Sequence, residues 1–345
     1  MENLSSILIT GGGAPGAPGI IKAIQDEAPK LKIYSCDVLE HTAGKILANA
    51  YFTVPNGNNP KYATTLLKIC IEKNIELILP ITTKELIPLS KAKALFAQNG
   101  ITVLVSEQKH LTISNNKGML YQHLLENKIP VPTFKIAKHY TEFCEAEKSL
   151  NLSPYIVKPC VSNGSRGFRI IDDDADEHDL LFNHKPSSTY LSSKNLHSTL
   201  ASKTFPELLL SEYLPGTEYT VDCLILDGNI KFILPRRRDK MNNGISIAGV
   251  IEYNKEIIEY CEAILQCLHL DGPIGIQVKY SKNNSPLIVE INPRIQGTTV
   301  ACKGAGVNIP YLTFMKSELD NMSNYNDYPI IWGTKFIRHY SELYY

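Results

Sequence analysis

The sequence predicts a mixed chain: an α/β, doubly wound open parallel sheet at its N-terminus, followed by an α+β region. Three observations carry this. Short apolar runs alternate with helix-period segments as far as Val105, and a glycine loop joins the first strand to the first helix. Beyond residue 114, pairs of strands meet at turn sequences instead of through helices.

Residues 6–10 read as a strand that runs into Gly11, Gly12 and Gly13, and residues 20–24 have helical spacing. Gly11, Gly13 and Gly16 satisfy G-x-G-x-x-G, and Asp37 follows the next strand, 32–36, about where a ribose-binding acid sits in dinucleotide-binding domains. A nicotinamide (NAD)-dependent oxidoreductase or a dinucleotide-sensing module is therefore one reading. Against it, Pro15 and Pro18 stiffen the loop, and glycine loops also occur in doubly wound domains that bind other anions or none. A helix near 64–73, a strand at 77–80, a helix at 84–98 and a strand at 102–105 continue the alternation.

After Ser106 the pattern changes. Ser114, Asn115 and Asn116 supply helix-capping chemistry ahead of Lys117 and a helix at 118–126, so a domain boundary is expected near residue 114. A strand at 155–159 carries Lys158, and a turn with Ser162, Gly164, Ser165, Arg166 and Gly167 leads to a strand at 168–171. Such a turn can fold over phosphates and donate backbone N–H groups beside the lysine charge. Residues 172–179 are an acidic helix start, and residues 185–203, rich in Ser and Thr, read as an insertion of weak periodicity. Strands at 207–214 and 218–225 flank Pro215 and Gly216.

The chemistry gathers near the C-terminal end. Residues 276–278 and 287–291 read as hairpin partners around turn material at 282–285. The two-residue period sends Glu290, Asn292 and Arg294 to one face, and Gln277 adds an amide from the neighbouring strand. Hard oxygen ligands for Mg²⁺ then sit beside a guanidinium suited to phosphate or carboxylate. Farther upstream, Arg236, Arg237 and Arg238 follow a strand at 231–234, with 242–246 read as a loop. Alternation puts Arg236 and Arg238 on one side, either able to pair with a substrate carboxylate.

Composition sets bounds. A chain of 345 residues exceeds the usual size of a single core, so two or three subdomains are expected. The formal charge is zero and the pI about 7.1, without the extended basic footprint of a nucleic-acid binder. No apolar run is long enough to span a bilayer, and residues 1–6 lack a secretory pattern. The eight cysteines are scattered without a Cys-x-x-Cys pair, which fits reduced thiols in a cytoplasmic protein. His178 and His184 have no cysteine nearby and do not read as a zinc site.

Taken in order, Lys117 after an asparagine, the run 156–159, the turn 164–167, residues 211–216 with Glu218, Gln277, and Glu290-x-Asn292-Pro293-Arg294 resemble the ATP-grasp superfamily. The pattern is similar to one ATP-grasp half of the carbamoyl phosphate synthetase large chain and to stand-alone carboxylate–amine ligases such as the pyrrolysine-pathway ligase. The resemblance covers most of the chain. It implies an ATP-grasp fold preceded by a doubly wound domain that usually binds no nicotinamide, and three regions: 1–114, a lid subdomain at 115–210, and 211–345 with the metal residues. It implies ATP and Mg²⁺ (or Mn²⁺) as cofactors. Lys117 and Lys158 would contact phosphates, with Ser162, Gly164 and Gly167 in the lid. Glu212, Tyr213 and Leu214 would hold adenine through backbone groups, and Glu218 the ribose. Gln277, Glu290 and Asn292 match metal-ligand positions, and Arg294 matches the arginine that stabilises the transferring phosphoryl group.

The implied activity is ADP-forming ligation of a small carboxylate to an amine through an acyl-phosphate. Phosphorylation of bicarbonate or carbamate is the nearest alternative, and a homodimer fits the family. Two departures stand out: Asn116 precedes the first lysine where aspartate is common, and Gln277 is neutral where many relatives carry an acid.

Overall fold

The computed structural model describes residues 4–162, 164–184, 189–242, 244–319 and 328–345. The chain folds as two compact units, Met1–Ser114 with Glu218–Val278 and Glu290–Tyr345, and Asn115–Thr217 with Lys279–Val289.

In the first unit, strands β1 (Ser6–Thr10), β2 (Lys32–Asp37), β3 (Ala50–Thr53), β4 (Leu77–Leu79) and β5 (Thr102–Val103) form a parallel sheet in the order β3-β2-β1-β4-β5. Strand β1 is buried throughout, and its alternation divides two cores: Leu8 packs with Leu66, Leu86 and Phe96, whereas Ile7 and Ile9 pack with Ile20, Ile24 and Phe314. Helices therefore cover both faces, the doubly wound arrangement expected from the sequence. Strand β3 and the short helix Ala43–Leu47 before it were not anticipated; with three half-buried residues and an exposed Thr53, β3 is too short to show a period.

The glycine loop owes its composition to close approach. Gly11 has φ 65°, and a Cβ on Gly16 would sit 2.4 Å from the Gly297 Cα. Asp37 turns inward on this loop, accepting from Gly13 N–H at 2.8 Å through Oδ2 and from Leu39 N–H at 3.1 Å through Oδ1. Both carboxylate oxygens of the would-be ribose ligand are thus engaged by backbone.

The second unit holds β6 (Phe134–Ala137), β7 (Tyr155–Pro159), β8 (Arg169–Ile171), β9 (Tyr190–Leu191) and β10 (Leu208–Glu212) in the order β6-β10-β7-β8-β9. Its core gathers Phe143, Tyr155, Val157, Leu196 and Leu210. The stretch read as a weakly periodic insertion contains β9 and a nine-residue helix, Ser193–Ala201, capped by the Ser192 hydroxyl and anchored by buried Leu196 and Leu200. Two apolar anchors four residues apart suffice for a short helix once a sheet receives them. Residues 185–188 of that stretch lie outside the described residues.

The third sheet contains β11 (Glu218–Leu226), β12 (Asn229–Asn242), β13 (Ile245–Ile251), β14 (Gly272–Tyr280), β15 (Pro286–Asn292) and β16 (Thr334–Ile337), in the order β15-β14-β11-β12-β13-β16. Helix Lys255–Leu268, capped by the Asn254 side chain at Ile257 N–H, buries Ile257, Cys261, Ile264 and Leu265. The arginine run corrects the sequence reading. Strand β12 is fourteen residues long and contains Arg236, Arg237 and Arg238, and its hairpin leaves only positions 243 and 244 between strands, where a five-residue loop at 242–246 was expected. Asn243 lies outside the described residues. Pro235 and three charges conceal the strand because apolar alternation stops there, yet ladder pairs hold Arg236 opposite Thr220 and Ile251. After β15 the chain makes a 3₁₀ helix, Thr299–Ala305, and a short α-helix, Ile309–Leu312. Among the described residues no helix is long and apolar enough to cross a membrane.

Candidate active site

The second unit positions the two lysines. Asn116 caps helix Lys117–Glu126 by accepting from Met119 N–H at 3.1 Å, which sets Lys117 at the first helical position. Its Nζ donates to Ser162 O at 3.1 Å, at the entrance to the glycine turn, while its backbone N–H donates to Cys160 O at 2.8 Å. Lys158, on β7, donates to Val289 O at 3.0 Å and lies 5.7 Å from the centre of the Tyr121 ring. Both lysines are only 5% exposed, and a buried ammonium needs acceptors of this kind. Gly164, Ser165 and Gly167 all have positive φ, and a Cβ on Gly167 would sit 2.6 Å from Pro159 Cδ. The turn is therefore built to lie flat against the end of β7.

Glu212 ends β10, where its N–H donates to Thr133 O at 3.0 Å and its Oε1 accepts from Thr133 N–H at 3.2 Å. Tyr213 carries Lys279 Nζ over its ring at 5.2 Å, Leu214 is buried, and Gly216 N–H donates to Tyr280 O at 3.0 Å. These interactions fix the connection that leaves β10.

The first unit holds the acidic and guanidinium residues. Glu290 and Asn292 lie on β15 on the same side of the strand, and Asn292 Nδ2 donates to Glu290 Oε1 at 3.2 Å. Arg294 continues the line: Nη2 donates to Asn292 Oδ1 at 3.1 Å, Nη1 to Ile295 O at 2.9 Å and Nε to Thr83 Oγ1 at 3.2 Å. Carboxylate, amide and guanidinium form one relay on one side, as the two-residue period predicted. Burial pulls the Arg294 guanidinium below its ordinary pKa, against the pull of Glu290 and Glu85. It remains a cation at any physiological pH. Gln277 is half-buried on β14, the strand beside β15.

Glu218 opens β11 and pairs with Arg238 Nη1. Arg238 also donates through Nε to Ser246 Oγ at 3.0 Å and through Nη2 to Gly244 O, so all three nitrogens have acceptors. Arg236 lies on the same face but deeper. It is 0% exposed, with Nε donating to Asp222 Oδ2 at 3.0 Å. Arg237 points away, to Asp239 and Glu252, as alternation requires. Sequence reasoning passed over Asp222, which sits between Val221 and Cys223 in the buried part of β11. An acid interrupting that apolar run was the signal available. Glu85 was also missed: a fully buried carboxyl that accepts from Thr10 Oγ1 at 2.7 Å, Thr82 N–H at 2.7 Å and Tyr62 OH at 2.5 Å. Arg338 donates to Pro15 O at 3.1 Å. The first unit also contains a separate cavity of about 440 Å³ lined by residues such as Lys93, His110, His269 and Asp271, none of them a sequence candidate.

Among the described residues no cluster of three His, Cys, Asp or Glu side chains could hold a metal ion. The oxygens of Glu290 and Asn292, with the Gln277 amide, are still suited to Mg²⁺. A hard cation that keeps water and substrate phosphate in its shell needs only one or two protein carboxylates or amides.

Family models match on both sides of the chain. One described as ATP-grasp in the biosynthetic pathway with Ter operon matches residues 204–330, and the PylC-like N-terminal domain matches residues 7–104. The carbamoyl phosphate synthase large chain of Clostridium acetobutylicum is 23% identical over a match of 222 residues that covers 61% of this chain and 19% of that protein. The chain thus spans about a fifth of the length of this curated relative. Among solved structures, N5-carboxyaminoimidazole synthetase from Staphylococcus aureus complexed with ADP superimposes with a TM-score of 0.69 at 17% identity, covering 93% of this chain and 79% of that one. L-amino acid ligase from Bacillus licheniformis gives 0.65 at 16% identity, covering 92% and 74%. At these identities the likeness is one of fold.

Proposed function

We propose that this chain, matched by an ATP-grasp family model over residues 204–330 and by a PylC-like N-terminal domain model over residues 7–104, is an ATP-grasp enzyme and an ADP-forming carboxylate–amine ligase. The observation that carries the reading is the Glu290–Asn292–Arg294 relay, which sets a carboxylate and an amide oxygen beside a cation whose own donors hold it in place. Glu290 and Asn292, with Gln277, would hold Mg²⁺, which when bound draws charge from the β- and γ-phosphates. Lys117 and Lys158 bind phosphate oxygens, the turn from Ser162 to Gly167 supplies N–H groups, the backbone of Glu212, Tyr213 and Leu214 reads adenine, and Glu218 takes the ribose hydroxyls.

The γ-phosphoryl group passes from ATP to a substrate carboxylate oxygen and ADP leaves. An amine then forms the C–N bond, loses a proton, and expels phosphate. Arg294 stabilises the charge on the transferred phosphoryl group and on the tetrahedral oxyanion. No enzyme nucleophile takes part. The glycine turn would keep water from the acyl-phosphate, which otherwise hydrolyses.

The test is release of ADP and AMP from ATP and Mg²⁺ with pooled small carboxylates, amino acids and amines, alongside NAD(H) binding by the same protein. ADP release that depends on a pool supports the ligase. Neither ADP nor AMP in any pool, with NAD(H) bound at micromolar levels, would assign the function to the glycine loop instead. The match to carbamoyl phosphate synthase favours one second reading, phosphorylation of bicarbonate or carbamate. ADP release that needs bicarbonate and no other carboxylate would select it.

A further inference from the structure

Arg236 heads the large side chains fully withdrawn from solvent, yet among the described residues only one of its nitrogens has a partner: Nε donates to Asp222 Oδ2, and neither Nη1 nor Nη2 meets an acceptor there. Asp222 is already occupied elsewhere. Its Oδ1 accepts from Thr299 Oγ1 at 2.6 Å, and its Oδ2 also accepts from Cys302 Sγ at 3.5 Å. The Phe336 ring lies 5.5 Å from the guanidinium carbon, where its face attracts the charge but offers no acceptor to N–H groups in the guanidinium plane. Arg294 and Arg238 differ in this respect, since every nitrogen of each has an acceptor. A buried donor left without an acceptor is strongly unfavourable, so an open fork inside a folded unit points to a group that fills it.

The register says where the fork lies. Thr220 is opposite Arg236 and Gly249 opposite Phe336, so Glu218, Asp222, Arg236, Arg238 and Phe336 all belong to one face of the third sheet. Arg236 sits two residues, about 7 Å, along β12 from the Arg238–Glu218 pair. Asp222 engages only the Nε side, which leaves the Nη1/Nη2 edge for end-on, bidentate pairing. That geometry matches a carboxylate.

We propose that the Nη1/Nη2 edge of Arg236 is a subsite for a substrate carboxylate that does not itself react. One substrate is then an amino acid held by its α-carboxylate while its amine attacks, or a dicarboxylate held at one end while the other is phosphorylated. This deepens the ligase reading and rests on it for the identity of the substrate. Because Nη1 and Nη2 expose no surface, the carboxylate enters as a neighbour moves, and Phe336 on the edge strand β16 is the ring that lies on the guanidinium.

The test compares thermal midpoints of the full chain with pooled amino acids, pooled three- to six-carbon dicarboxylates, or MgADP. The proteins are wild type, Arg236→Lys, the double variant Asp222→Leu/Arg236→Met, and the control Arg237→Met. Arg236→Lys keeps the charge beside Asp222 and loses the fork; the double variant removes the pair as a unit, so that one of them folds if the other does not. Wild type and Arg237→Met should be protected by one pool, with on the order of 100-fold weaker apparent affinity in Arg236→Lys and no response in the double variant. Protection by amino acids makes the amine substrate the anchored one; protection by dicarboxylates makes it the acid. If neither pool protects wild type more than Arg236→Lys, the subsite is refuted. MgADP separates the two ideas: failure to protect any variant counts against the ligase reading, while the carboxylate arms still judge Arg236.

Discussion

Replacing Asp222 by Asn should destabilise the first unit by about 3–5 kcal/mol, the range for removing one partner of a buried ion pair. The hydrogen bonds define what is lost. Asp222 is 1% exposed and accepts from three donors: Arg236 Nε at 3.0 Å, Thr299 Oγ1 at 2.6 Å and Cys302 Sγ at 3.5 Å. An asparagine keeps one oxygen and turns an NH₂ toward a donor, leaving the Arg236 charge buried without a counter-ion. The chain has a single tryptophan, Trp332, which packs against the core of Leu224, Phe232 and Leu234 and lies 5.6 Å from the Tyr253 ring, so its fluorescence reports on this unit. With a urea slope of about 3 kcal/mol/M, the midpoint should fall by about 1–1.7 M. The double variant Asp222→Leu/Arg236→Met should return to within about 1 kcal/mol of wild type, because a buried pair contributes little net stability. A loss below about 1 kcal/mol in Asp222→Asn, or a double variant as unstable as the single one, would refute the claim that this acid exists to neutralise Arg236.

Lys158→Met and Glu290→Gln should each abolish ADP release in the pooled assay while circular dichroism shows the fold retained; normal ADP release by either would remove that residue from the proposed site. Gly16→Ala should lower the urea midpoint by an amount equivalent to about 1–3 kcal/mol, since its Cβ meets the Gly297 backbone at 2.4 Å and backbone cannot turn aside. Burial raises the Glu85 carboxyl above its ordinary 4.5 despite donors from Tyr62, Thr10 and Thr82. The folded state therefore holds the proton more tightly than the unfolded state. This contribution is fully present below pH 4.5 and is lost as the pH rises through the folded value. Unfolding measured from pH 4.5 upward should show that loss in wild type, and a much flatter profile in Glu85→Gln.

The pairing of Glu290 and Asn292 was legible because a strand has one period, which puts both on one side of β15; Arg294 lies just past the strand and joins them through its hydrogen bond to Asn292 Oδ1. The doubly wound sheet was legible for a similar reason, since β1 and β4 are short, largely apolar runs punctuated by turns. Strand β12 was not, because Pro235 and three arginines mimic the end of a strand, and only ladder pairing on both sides keeps that segment extended. The helix at Ser193–Ala201 escaped for lack of apolar residues, and the sheet that accepts Leu196 and Leu200 supplies what local pattern could not.

The sequence by itself therefore determined which side chains face together within an element, because backbone geometry imposes that locally. Only tertiary structure decided which of them are already partnered. Asp37 and Arg238 looked available in sequence and are engaged by Gly13 and Leu39, and by Glu218, Ser246 and Gly244. Among the described residues Arg236 keeps an open fork because Asp222, fourteen residues away in sequence, reaches only its Nε. Hydrogen-bond satisfaction depends on neighbours brought in by the fold, and no periodicity along a chain encodes it.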